Sequence, residues 1–205
     1  MSRSPGEGPA RRSPRERTAQ IEAAARALAL DAGLAAVTLR AVAKRVGVAS
    51  GLVARYAPSM DALVASTFQG IVETEIAEVQ QFLASKPSPA ACLVALVDTL
   101  LDQSRDDVTV IWVEAWGIGR RNATLALVVR QQMDAWRDII QDIIERGIAC
   151  GEFRDVDAES VAWLLLGMID GLNAHALVRW NESGARGPHI RNALEGMLGT
   201  GATFD

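Results

Sequence analysis

Between Thr38 and Met60 the chain has room for only two short helices and one tight turn. Val42 and Val46 stand four apart before Gly47, Val48 follows it, and Val53 and Ala57 stand four apart after it. Residues at that spacing share a helix face, so each segment has one inward edge and the glycine lets the backbone reverse between them. Ser50, Gly51, Leu52, Arg55 and Tyr56 are then left to point outward from a second helix of about three turns. A helix pair of this shape can lay its second helix in the DNA major groove. It is equally the shape of an ordinary helical hairpin whose Arg and Lys are only solvated.

Charge separates those readings. Residues 1–60 carry ten Arg or Lys against four Asp or Glu, a net of +6, while residues 61–205 carry a net of −10. The overall −4 therefore conceals a basic module on an acidic body. Phosphate neutralisation needs local positive charge, not a basic whole chain. A basic tail would account for Arg3 to Arg17, but Arg40, Lys44, Arg45 and Arg55 lie inside the helical unit.

The remaining chain reads as helix after helix. Ile21, Ala24, Ala25 and Leu28 mark a helix over 15–32, stopped at Gly33. Thr38 caps the next, and Ser59 with Asp61 opens a long helix to about Leu83. On that helix Leu63, Phe68, Ile71, Val72, Val79 and Phe82 are read as core, and Glu73, Glu75 and Glu78 as the solvent side. Ser88 and Pro89 start another, with further helices at about 89–104, 106–118, 123–149, 157–181 and 188–199. No segment alternates apolar and polar residues as a strand does, so the fold class is all-α, with about nine helices. The chain divides into a disordered basic arm (1–14), a helix-turn-helix unit (15–60, motif 38–57) and a larger helical body (61–205).

Several classes are excluded or disfavoured. There are two His, no Gly-x-Ser-x-Gly elbow, no phosphate-cradling glycine loop and no paired metal ligands, so neither an enzyme nor a cofactor or metal protein is expected. No uncharged apolar run of about 18 residues is present, and the N-terminus lacks the apolar core of a signal peptide. Cys92 and Cys150 stand alone in apolar runs and read as buried thiols of a reducing, cytoplasmic setting.

Taken together, Ile21-Glu-Ala-Ala-Ala-Arg-Ala-Leu, Ala32-Gly33, Thr38-Leu-Arg, Val42-Ala43, Val46-Gly-Val48, Ser50-Gly51, Arg55-Tyr56, Pro58-Ser59 and Asp61-Ala-Leu63 resemble the DNA-binding end of TetR-family transcriptional regulators. Within that family the recognition segment and Ile111-Trp-Val-Glu-Ala-Trp116 are similar to the branch of choline-responsive regulators of betaine synthesis, the second more weakly. The resemblance implies a repressor that binds a near-palindromic double-stranded DNA operator as a homodimer and is released by a small-molecule effector.

It assigns DNA contacts to Thr38, Arg40, Lys44, Ser50, Gly51, Leu52, Arg55 and Tyr56. The Arg55 guanidinium fits a guanine edge or a phosphate clamp about equally, and Thr38, Lys44 and Tyr56 suit phosphates. Three positions depart from the family: Ala49 where a capping Ser is usual, Ala57 where an aromatic packs, and Met60 where a Lys reaches a phosphate. The last implies a shallower salt dependence. For the effector, Trp112, Trp116, Trp136, Trp163 and Asp170 are the candidates, because aromatic walls with a carboxylate suit a cationic or aromatic compound; core packing is the competing role for each Trp. For the dimer, Val161, Leu164, Leu165, Met168, Leu172 and His175 on one helix and Ile190, Leu194, Met197 and Leu198 on the next are the candidates, with Gly167 and Gly171 permitting close approach. An internal core face is the competing reading for part of that set.

Overall fold

A computed structural model describes residues 13–180 and 186–199. Among them nine α-helices and no strand are found: α1 Pro14–Ala32, α2 Leu39–Val46, α3 Ser50–Val53, α4 Met60–Leu83, α5 Pro89–Leu100, α6 Asp106–Gly119, α7 Ala123–Ala149, α8 Ala158–Leu177 and α9 Arg186–Leu198. Two 3-10 turns, Leu34–Ala36 and Gln103–Arg105, precede α2 and α6. Residues 1–12 of the expected basic arm lie outside the described residues. Ser13 and Pro14 do not belong to an arm: Ser13 Oγ accepts from Glu16 N, the Glu16 carboxylate accepts from Ser13 N, and Pro14 takes the first helical position. That reciprocal cap satisfies two amides that would otherwise lack partners.

The other boundaries follow from the same chemistry. Thr38, Ser59, Ser88, Asn122 and Asp157 each accept a backbone N–H at the start of α2, α4, α5, α7 and α8. Gly47 closes α2 with φ 74°, a left-handed conformation that favours glycine.

Around Val42, Ala43, Val53 and Ala57 the first three helices share a small core with Ile21, Ala25 and Ala29 of α1. The larger core lies between α4 and α7, closed by α5, α6 and α8, and holds Phe68, Leu93, Leu96, Ile111, Leu125, Ile140, Ile144 and Leu165. Arg26 of α1 donates to Gly70 O and Thr74 Oγ1 of α4, fastening the two parts. By length and composition α8 would cross a membrane, but Val161, Ala162, Leu165 and Ile169 are buried and the helix packs on α6, α7 and α9.

Three sequence expectations fail here. Phe82 is 44% exposed and sits under the Lys86 ammonium, 3.7 Å from the ring centroid, because it falls on the outer side of the last turn of α4. Glu75 is buried, not solvated. Its position explains this: it is four after Ile71 and four before Val79, squarely on the apolar face. Cys92 is buried as expected, but Cys150, at the C-terminal end of α7, is exposed.

Candidate functional site

The helix-turn-helix unit presents one exposed cationic edge. On α2, Val42 and Ala43 are buried, which turns Arg40 and Lys44, four apart, to solvent. Thr38 spends its hydroxyl on the cap, accepting Ala41 N at 3.1 Å. Arg45, in contrast, is paired with Asp31 at 2.7 Å and Arg26 is tied to α4, so neither is a bare cation. Arg40, Lys44 and Arg55 are exposed and make no ion pair among the described residues.

The recognition segment is shorter than its sequence pattern predicts. Regular helix covers only Ser50–Val53, and Arg55 and Tyr56 lie in a tightened turn in which Arg55 N donates to Leu52 O and Tyr56 N to Val53 O. The causes are local. Ala49 has no side chain to cap the first turn, Gly51 lowers helix propensity, and Pro58 bars a continuation. Ser50, Gly51 and Arg55 are exposed as expected, while Leu52 and Tyr56 are half-buried, with Tyr56 packed on the core. Met60, at the start of α4, also packs on the core.

A second site lies inside the body, in a cavity of about 40 Å³ lined by residues that include Glu75, Arg105, Trp112, Met133, Trp136, Ile169 and Asp170. Arg105 Nη2 donates to Glu75 Oε1 at 2.8 Å, and Trp112 Nε1 donates to Glu75 Oε2 at 3.4 Å. Burial pushes the Glu75 carboxyl above its ordinary value, opposed by the Arg105 guanidinium. Asp170 has no such partner among the described residues. Burial, then the nearby Glu75 carboxylate, pushes it up to about 7. Arg105 Nε is buried without a hydrogen-bond partner among the described residues. With both acids ionised the cluster carries two negative charges against one positive.

Of the expected aromatic walls, Trp112 and Trp136 line this cavity. Trp116 packs at a tilt against Trp112, with ring centroids 6.2 Å apart and the planes at 44°, and does not line it. Trp163 is 70% exposed and belongs to the outer side of α8, so its expected pocket role is withdrawn. Glu75 and Arg105 are the charged cavity residues missed from sequence, along with uncharged wall residues such as Met133 and Ile169. Periodicity flags Glu75; Arg105, in a 3-10 turn, gives no such signal.

The dimer candidates also divide. Val161, Leu165, Leu194 and Leu198, with Ile190, are buried within this chain and have no surface for a partner. Their i, i+3/i+4 spacing marks the inner face of the two helices. Leu164 and His175 are exposed and Met168, Leu172 and Met197 half-exposed. Leu164, Met168, Leu172 and His175, with Trp163 and Gly167, leave a largely apolar stripe along the outer side of α8, Met197 belonging to α9, and a Cβ at Gly167 or Gly171 would meet nothing within 4 Å.

The profile of the BetI-type transcriptional repressor C-terminal domain matches residues 89–199, over half the chain, and that of bacterial regulatory proteins of the tetR family matches 21–67. The chain belongs to the TetR family. It is 28% identical over 149 residues to the HTH-type transcriptional regulator BetI 1 of Chromohalobacter salexigens, covering 69% of each protein. A transcriptional regulator from Saccharomonospora viridis, solved in complex with choline, superposes with a TM-score of 0.79 at 22% identity over 90% of this chain and 98% of that one. The regulator FadR of Bacillus subtilis, solved with stearoyl-CoA, gives 0.66 at 18% identity over 88% and 97%. At these identities the solved structures share the TetR fold with this chain. A TetR-family transcriptional regulator has no need of catalytic machinery, and among the described residues no group of three His, Cys, Asp or Glu is placed to hold a metal.

Proposed function

We propose that this TetR-family regulator represses transcription by binding a near-palindromic DNA operator as a homodimer, and that an organic cation entering the α4–α6–α8 cavity releases it. Residues up to about 60 form the reader and the remainder forms the effector and dimer body. The observation that carries the effector reading is the carboxylate pair of Glu75 and Asp170, which outnumbers the one Arg105 guanidinium when both acids are ionised, set beside Trp112 and Trp136. A permanent cation neutralises that charge and is attracted to indole faces. The choline complex of the Saccharomonospora regulator supports the same ligand class.

On the reader, Arg55 is the base-reading or phosphate-clamping group, and Arg40, Lys44 and Ser50 hold phosphates. Thr38 acts chiefly by fixing the start of α2, and Gly51 permits close backbone approach. Leu52 and Tyr56 set the register of the segment from their half-buried positions. One module buries too little DNA for tight specific binding, so two are needed. The outer stripe of α8 is the surface that joins them.

Selection of bound DNA from a random pool tests the reader and yields the operator. Arg55→Ala with Tyr56→Ala should abolish specific binding and leave the dimer intact; survival of specific affinity would remove Arg55 and Tyr56 from the reading face. Choline chloride, against potassium chloride at equal ionic strength, tests the effector. Release by choline alone supports the cation reading, and equal behaviour of the two salts refutes it, since salt by itself weakens DNA binding.

A further inference from the structure

One carboxylate outside the cavity joins the wall of that cavity to the DNA-reading helices. Glu114 lies two residues after Trp112 on α6, about 200° around the helix, so the two side chains leave on opposite sides. Trp112 lines the cavity. Glu114 Oε2 accepts Leu34 N at 2.5 Å and Ala35 N at 3.4 Å, in the turn that connects α1 to α2. The approach is close because residue 33 is glycine: at φ 83°, a Cβ there would lie 2.5 Å from Glu114 Oε1. Leu34 and Val37 are buried, so this turn is seated firmly, and Thr38 caps α2 immediately after it.

The cavity also forces movement. At about 40 Å³ it is far below the roughly 150 Å³ of an apolar cavity that admits benzene. An occupant of choline's size must displace a wall. The wall helices are unequally anchored: α4 and α7 each bury nine residues and α8 five, whereas α6 buries only Ile111 and Ala115. α6 is also the wall helix that carries both Trp112 and Glu114, so any displacement of it reaches the Leu34 turn directly.

We propose that Glu114 is the positioning residue of the allosteric response: an occupant pressing on Trp112 shifts α6 and draws the carboxylate off the Leu34 and Ala35 amides, resetting α2 and α3. This rests on the effector-cavity reading above. It requires the two sites to be coupled through one discrete contact, which a substitution can remove without touching either ligand.

The test uses the full-length chain, its selected DNA, and choline chloride against potassium chloride. In the unaltered protein choline should weaken DNA binding by an ordinary allosteric factor, about 5- to 150-fold. Glu114→Ala should cut that factor to under about 3-fold, while choline still alters Trp fluorescence without DNA, at a midpoint no higher than in the unaltered protein, because a contact that binding must break is already gone. Glu114→Gln keeps an acceptor oxygen and should restore most of the response. Release from Glu114→Ala equal to that of the unaltered protein overturns the proposal.

Should choline neither bind nor release the unaltered protein, the cation reading fails and the link is judged without a ligand. Ile169→Phe, or Met133→Phe if the first does not fold, fills the cavity from within. It should speed amide hydrogen exchange at Leu34 and Ala35 and weaken DNA binding, and it should add nothing in a Glu114→Ala background. Unchanged exchange at those amides in the filled variant also overturns the proposal.

Discussion

Asp170 is the residue at which stability and function pull apart. Its carboxyl is raised to about 7 from an ordinary 3.8, by burial first and by Glu75 second. Between those values the folded chain holds a proton that the unfolded chain has released, so this group makes stability fall as pH rises from about 4 to about 7. The charges around it are Glu75 of α4 and Arg105 ahead of α6, with Asp107 acting on Glu75 and Arg186 of α9 bound to the neighbouring Asn173. Asp170→Asn removes the penalty. Thermal unfolding at pH 8 should show a gain on the order of 2 kcal/mol, about 4–8 °C in Tm, with no gain at pH 4. The same change should abolish choline binding. In the unaltered protein the affinity for choline should rise about tenfold from pH 6 to pH 8 and level off above, as the carboxylate ionises; titration by fluorescence checks both.

Among the elements, α3 departs furthest from its sequence pattern. Val53 and Ala57 are buried at the expected spacing, yet helix extends over one turn only, because Ala49 leaves the first turn uncapped. Ala49→Ser should restore the cap and raise stability by about 0.5–1 kcal/mol, a Tm gain of about 1–4 °C by calorimetry. It should also lengthen the regular part of α3, read as slower amide exchange at Leu52 and Val53. On α7, Gly147 meets the Phe153 ring where a Cβ would stand only 2.1 Å from Cδ2. Gly147→Ala should therefore destabilise by about 1–3 kcal/mol through overpacking, measured by urea unfolding.

For the whole molecule, the outer side of α8 is an unpartnered apolar surface among the described residues. Trp163 is 70% exposed and Leu164 47%, beside the exposed Gly167. Exposed apolar side chains clustered in this way mark an association surface. Sedimentation of the unaltered chain should give about twice the 21.9 kDa of one chain. Trp163→Glu with Leu164→Glu should give the monomer mass with unchanged helix content, and should lose operator affinity together with the dimer. Leu165, next in sequence, is fully buried, and its substitution should unfold the chain instead of splitting the pair.

Local chemistry was legible in the sequence. Caps at Thr38, Ser59 and Ser88, the turn glycine Gly47 and the apolar spacing are short-range features, settled within a turn or two of helix. They gave the all-α class, the helix order and the helix-turn-helix unit, and the charge split pointed to its exposed cations. What lay beyond was which face of each helix meets which neighbour. Glu75 shares a face with Ile71 and Val79, but only the packing of α4 brings Arg105, 30 residues away, to its carboxylate. Val161 and Leu164 fit one apolar stripe in sequence, yet the fold buries the first and leaves the second 47% exposed. The tie from Glu114 to Leu34 joins positions 80 apart in sequence and has no signature in either segment. Periodicity fixes where a side chain leaves its own helix; the partner on the other side is chosen by the tertiary fold alone.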